Sequence, residues 1–112
     1  MVQYSHPLDG TFAALADPTR RRVVERLGRG EATISELADE FSMTLTGIKK
    51  HVCILENVGL VSTRRVGRVR RCALGPGRLD DLAAWIEQYR QMLEARLDRL
   101  GQFLQETKGA SS

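Results

Sequence analysis

The stretch that decides the fold runs from residue 44 to residue 71 and reads TLTGIKKHVCILENVGLVSTRRVGRVRR. It contains a single acid, Glu56, and its net charge is +6, whereas the whole chain carries only +3. A helix with a basic flank followed by an arginine-rich hairpin is typical of proteins that bind duplex DNA. The cations of this segment are Lys49, Lys50, Arg64, Arg65, Arg68, Arg70 and Arg71.

The first half of this segment predicts a helix over residues 45–58. Thr44 precedes it as a candidate N-cap, and Gly59 follows it as a C-terminal stop. Residues three, four and seven positions apart share one face of a helix, so the outward face can be read from the spacing. That face holds Thr46, Lys49, Lys50 and Cys53.

The second half predicts a β-hairpin, with strands at 61–66 and 69–74 around Gly67-Arg68. Because side chains alternate along a strand, Arg64 points away from Arg65, and Arg70 away from its neighbour Arg71. Not all of the arginines can therefore face DNA. The one at the tip, Arg68, is the best candidate for a minor-groove or backbone contact.

The preceding residues predict a helix-turn-helix. A short helix at 11–16 ends at Asp17-Pro18, a typical N-cap and first helical residue for a second helix. Thr33 and Glu36 form a capping-box pattern that opens a third helix. With the helix at 45–58, this predicts a mainly α winged helix-turn-helix of about five helices and a two-stranded wing.

A last helix is predicted from Arg78 to about Thr107, roughly 45 Å long at 1.5 Å per residue. Its apolar residues follow a nearly heptad spacing, which is more apolar surface than so small a domain buries by itself. The sequence therefore predicts a homodimer. The seam consists of Leu79, Leu82, Ile86, Tyr89, Leu93, Leu97, Leu100 and Leu104.

The 112 residues are enough for one domain, which we place at 10–107, between a flexible arm at 1–9 and a disordered tail at 108–112. Apolar residues make up 42% of the chain, but no run reaches the ~18 needed to span a bilayer. The N-terminus has no secretory pattern. We expect a cytoplasmic protein without membrane contact.

Other functions are tested by the residue inventory. No hydrolase triad, phosphate loop, dinucleotide motif or metal-hydrolase motif is present, so no enzyme and no cofactor is predicted. His51 lacks further ligands at zinc spacing, which favours a phosphate contact or a packed core edge. Cys53 and Cys72 are either inert small hydrophobes or a thiol switch, which makes a redox-sensing repressor the alternative. A winged-helix protein-interaction module is the weaker third hypothesis.

Several blocks of the sequence resemble the ArsR/SmtB family of bacterial repressors. Residues 12–21, FAALADPTRR, are similar to the family's opening block. Residues 34–38 (ISELA), 50–52 (KHV) and 55–61 (LENVGLV) resemble its later blocks in the same order. The resemblance covers about residues 10–104.

This resemblance implies a dimeric transcriptional regulator, usually a repressor, on a near-palindromic operator that it reads through helix 45–58 and wing 62–74. The family's metal sensors often carry thiols on the third helix or histidines on the last helix, and this chain has neither residue type at those places. The inducing signal, whether a small molecule or a redox change, stays open. Predicted DNA contacts are Thr44, Thr46, Gly47, Lys49, Lys50, His51, Arg64, Arg65, Arg68 and Arg70. Predicted dimer contacts are Phe12, Leu15, Leu82, Trp85, Ile86, Tyr89, Leu93, Leu97, Leu100 and Leu104.

Overall fold

A computed structural model describes residues 6–110, with side chains through residue 107. The described residues up to Asp81 form one compact unit, and those from Leu82 form a second. The elements are α1 (Asp9–Leu15), α2 (Pro18–Gly28), β1 (Ala32–Thr33), α3 (Ile34–Glu40), α4 (Leu45–Asn57), β2 (Val61–Val66), β3 (Val69–Leu74) and α5 (Arg78–Ala110).

Both ends of the described part of the chain are more helical than the sequence predicts. Helix α1 begins at Asp9, two residues before the predicted start, and Leu8 is already buried. Helix α5 continues to Ala110, beyond the predicted end at Thr107. The remaining parts of the predicted arm and tail, residues 1–5 and 111–112, lie outside the described residues.

Side-chain caps mark the starts of α2, α3 and α4 at the positions that the sequence predicts. The Asp17 carboxylate accepts from the backbone N–H of Arg20 at 3.0 Å and caps α2. Thr33 and Glu36 form the predicted capping box at the start of α3. The Thr44 hydroxyl accepts from a backbone N–H at 3.0 Å and caps α4. These caps stabilise the first turns, so the two helices of the helix-turn-helix have defined starting points.

Arginines near the start of α2 complete the end of α1. The Nε of Arg20 donates to the carbonyl oxygen of Ala14 at 2.7 Å, and Nη1 of Arg21 donates to that of Leu15 at 3.2 Å. Carbonyls in the last turn of a helix have no partner inside the helix, and cations there also suit its dipole. This part of the chain's basic charge therefore has a structural role.

The sheet differs from the prediction, because it has three strands rather than two. The additional strand β1 pairs antiparallel with β3, Ala32 opposite Cys72 and Thr33 opposite Arg71. Strands β2 and β3 form the predicted hairpin with the predicted bounds. A strand of two residues is too short to show alternation in the sequence. Its pairing attaches the base of the wing to the loop before α3.

One apolar core joins α2, α3, α4 and the base of the wing. Helix α4 contributes three buried side chains at helical spacing, and β3 contributes Cys72. Because this face of α4 is used for packing, its opposite face is available to a partner. The buried core residues are Ala14, Val23, Leu27, Ala32, Ile34, Leu37, Ala38, Ile48, Val52, Leu55, Leu60, Val61 and Cys72.

The Asp17 cap makes stability depend on pH. The backbone hydrogen bond from Arg20 is the largest cause that lowers the pKa of Asp17, and the charges of Arg20 and His51 add to it. A lowered pKa in the folded state means stabilisation that is present above the ordinary Asp pKa and is lost as the pH falls from there through the lower pKa of the folded state. We expect Asp17→Ala to lower the melting temperature by several degrees near pH 7.

Asp17→Ser is the matched control, because serine keeps a capping oxygen but cannot titrate. Thermal unfolding followed by circular dichroism from pH 7 to pH 3 measures both effects. We expect the advantage of the native chain over Asp17→Ser to shrink with acidification. Parallel pH profiles for the two proteins would contradict the role given to the charge.

Candidate nucleic-acid interface

Helix α4 presents its polar face to solvent, as predicted. Thr46, Lys49 and Lys50 are exposed, while Ile48 between them is fully buried. Leu45 at the start of the helix is also exposed and adds an apolar side chain to this face. The face therefore combines two cations, a hydroxyl and an apolar group, which is the mixture that major-groove recognition uses.

The wing and α4 share one basic cleft. A cleft of about 250 Å³ lies between the start of α3, the outward face of α4 and the tip of the wing. Lys49 reaches it from α4, and Arg65, Arg68 and Arg70 reach it from the wing. None of the described acidic side chains lines it. The structure thus brings four of the predicted DNA-contacting residues together around one cavity.

Glu31 holds the arginines on the other face of the wing. Arg64 and Arg71 lie opposite each other on β2 and β3. Arg64 Nη2 is 3.2 Å and Arg71 Nε 3.3 Å from the same Glu31 oxygen, Oε2. Hydrogen bonds from both arginines lower the pKa of Glu31. Arg64, a predicted DNA contact, therefore shares one carboxylate with Arg71 and does not line the basic cleft.

The other wing arginines divide into paired and unpaired residues. Arg70 donates through Nε to the Thr63 hydroxyl at 3.2 Å, and its Nη2 is 3.7 Å from Glu56 Oε1. Within residues 6–107, Arg65 and Arg68 have no ion-pair partner. Cations without an internal partner are the ones most available to phosphates, so these two are the wing's strongest candidates.

Three predicted DNA contacts have local structural roles. The Thr44 side chain is used by the cap of α4. A Cβ on Gly47 would lie 3.2 Å from the Thr44 hydroxyl oxygen and 3.3 Å from the Met43 methyl carbon, so tight packing already accounts for glycine there. His51 is half-buried, with Nδ1 3.8 Å from the Asp17 carboxylate. The structure does not place His51 in the basic cleft.

The two cysteines occupy different environments. Cys53 is exposed on α4, and its sulfur is 4.0 Å from the side-chain nitrogen of Asn57. Cys72 is fully buried in β3, and burial raises the pKa of its thiol to about 11. The raised pKa disfavours the reactive thiolate, so Cys72 has the properties of a small core hydrophobe.

The second unit carries an exposed apolar stripe along α5. The predicted dimer contacts from Ile86 onward are all more than half exposed, and Met92 and Phe103 extend the stripe. Leu82 and Trp85 are half-buried, and the Trp85 and Tyr89 rings lie 4.3 Å apart. On the first unit, Phe12 is exposed whereas Leu15 packs against the core. Exposed apolar surface of this extent is typical of a protein–protein contact.

Metal centres and membrane spans are two other kinds of site. Across the described residues, no three His, Cys, Asp or Glu side chains come together in a group that could hold a metal ion. Each helix in the described part of the chain is too short or too polar to traverse a lipid bilayer.

Comparison with known proteins assigns the class. A family model described as a helix-turn-helix domain matches residues 15–64. The HTH-type transcriptional regulator Rv2034 of Mycobacterium tuberculosis is 34% identical over 89 residues, 80% of this chain and 82% of that protein. The transcriptional repressor SdpR of Bacillus subtilis is 29% identical over 79 residues, 70% of this chain and 88% of that protein. A crystal structure of an ArsR family transcriptional regulator has a TM-score of 0.72 and 46% identity, covering 84% of this chain and 97% of that one.

The fold and these relatives define a winged helix-turn-helix transcriptional regulator. The chain belongs to the ArsR/SmtB family, and the predicted resemblance is confirmed. It is accordingly a DNA-binding regulator rather than an enzyme.

Proposed function

We propose that the protein is a homodimeric repressor that occupies a near-palindromic operator. Each subunit lays α4 in a major groove and brings the wing to the adjacent backbone or minor groove. The observation that carries this proposal is the basic cleft, where Lys49 of α4 and Arg65 and Arg68 of the wing surround one space. A single duplex can neutralise all three side chains at once.

The apolar stripe of α5 supports the homodimer. Its exposed residues repeat at intervals of three and four over more than five turns of the helix. At the border of this stripe, Arg90 forms ion pairs with Glu87 and Glu94 and lines the same surface depression as Ile86 and Leu93. A self-complementary apolar stripe is most simply covered by a second copy of itself. Two subunits also provide the two α4 helices that a two-fold-symmetric operator requires.

The name of one relative favours repression over activation as the function of this protein. SdpR, which is named a transcriptional repressor, is similar to this chain over 88% of its own length. A small dimer that occupies an operator already excludes other proteins from that DNA and needs no further domain to repress. A repressor of this kind acts in the cytoplasm, where bacterial DNA lies.

The test is selection of bound fragments from genomic DNA, followed by gel shifts with heparin as competitor. We expect a specific fragment to survive heparin and its affinity to fall steeply with salt. The three cleft cations of each subunit, Lys49, Arg65 and Arg68, would neutralise about six phosphates per dimer, which gives a log–log slope of about −5. Failure to enrich any fragment, with heparin removing all binding, would instead favour the protein-interaction module.

A further inference from the structure

The outer part of the wing has little apolar packing to hold it against α4. Wing residues 64–70 are exposed, and Val66 and Val69 near the tip are 50% and 45% exposed. A second cleft of about 180 Å³, lined partly by Lys49, Cys53 and Arg70, opens between α4 and the wing. Polar contacts rather than interdigitated side chains therefore span the gap between helix and wing.

Those contacts form a closed network around Glu56. The Thr63 hydroxyl donates to the Glu56 carboxylate, and Nε of Arg70 donates to the Thr63 hydroxyl oxygen at 3.2 Å. Arg70 Nη2, 3.7 Å from the other carboxylate oxygen, closes the network. The Glu56 side chain is 35% exposed and that of Arg70 58%, so water screens the ion pair, and the hydrogen bonds through Thr63 are the firmer contacts. One residue of α4 thus contacts both strands of the wing.

Glu56 also has a defined relation to the DNA-facing surface. It lies seven residues after Lys49, which places the two side chains on the same face of α4. It is the only acid in the basic segment 44–71. In a purely electrostatic view, a carboxylate there opposes DNA binding. Its hydrogen bonds indicate a different role.

We propose that Glu56 is a positioning residue for DNA recognition. By fixing the wing to α4, it sets the distance between Lys49 on the helix and Arg65 and Arg68 on the wing, so that all three meet one duplex together. This inference rests on the proposed function, that the helix–wing surface binds duplex DNA. Glu56 itself touches no base or phosphate.

The experiment compares Glu56→Gln and Thr63→Val with the native full-length chain. The probes are a duplex selected by the native protein from a random library and a scrambled duplex of equal length. For both variants we expect affinity for the selected duplex to fall about tenfold, because residues in one network are strongly coupled. Affinity for the scrambled duplex should stay equal or, in Glu56→Gln, increase. The salt slope should become less steep by about 0.9 for each phosphate that the variant no longer neutralises.

Glu31→Gln is the matched control, since it makes the same change from carboxylate to amide beside the wing. Glu31 holds Arg64 and Arg71 on the opposite face, so we expect the native ratio of selected to scrambled binding. The salt slope separates the mechanisms. A displaced wing neutralises fewer phosphates, whereas partial unfolding only reduces the active fraction and leaves the slope unchanged.

Three results would overturn the inference: tighter binding of Glu56→Gln to both duplexes, lower affinity at the native salt slope, or an equal loss of affinity in Glu31→Gln. The first would show simple charge repulsion, the second damaged folding, and the third that any attachment of the wing is sufficient. If the native chain selected no duplex at all, the proposed function itself would fail, which is a distinguishable outcome.

Discussion

Replacing both Lys49 and Arg68 with alanine is expected to weaken operator binding by about 3 kcal/mol, roughly a hundredfold. The pair takes one cation from α4 and one from the wing, on opposite sides of the basic cleft. Both side chains are exposed, so their loss removes no core packing. In a symmetric dimer each substitution acts twice, and the salt slope should decrease together with the affinity.

Arg64→Ala with Arg71→Ala is the control for this experiment, because it also removes two positive charges, both of them from the wing. These two arginines already share Glu31, and we expect binding to change by less than about fivefold. Titration of a fluorescent operator duplex at several salt concentrations measures both pairs. Equal reductions in affinity in the two variants would mean that overall charge, and not the cleft, controls binding.

The hydrogen bonds between near neighbours were readable from the sequence. Thr33 with Glu36 and Thr44 before its helix are capping patterns in which donor and acceptor lie three residues apart, so local spacing predicts them. The hairpin also depends on neighbouring residues alone, because its two-residue turn needs a positive φ, which Gly67 adopts at 65°. Such features depend on a few consecutive residues and on no other part of the fold.

The sequence does not predict which wing arginines pair with acids and which stay available to DNA. Strand alternation predicted that Arg64 and Arg65 face opposite ways, but not what each would meet. Glu31 lies 33 positions before Arg64 and 40 before Arg71, and it reaches them because β1 pairs with β3. The two-residue β1 leaves no periodic pattern to predict. Tertiary pairing therefore decides which of the predicted contacts are paired with an acid.

The Glu56 network shows a similar limit. The sequence shows one acid within a strongly basic segment but does not show what that acid contacts. Glu56 and Thr63 are seven residues apart, across the turn between α4 and β2. Only the three-dimensional path of that turn brings them together. A lone charge of opposite sign inside a basic segment was the one available signal for a structural partner.

Leu93→Asp with Leu97→Asp is expected to convert the protein to a monomer and to reduce operator affinity by a factor of about 10²–10⁴. Both leucines are 56% exposed in the single chain, so the change removes little packing within one subunit. In a dimer the same positions would be buried, and four carboxylates without partners would oppose association. A second monomer would then bind the other half-site independently, without the high effective concentration that a dimer gives its second subunit.

Gln91→Asp is the control, because it adds a carboxylate away from the apolar stripe, beside Glu87. Light scattering after size exclusion gives the mass, and circular dichroism verifies that helix content is kept. We expect Gln91→Asp to remain dimeric and to bind DNA nearly as the native chain does. A dimeric Leu93→Asp/Leu97→Asp protein would place the interface elsewhere, and a monomer with native operator affinity would show that DNA reading needs only one subunit.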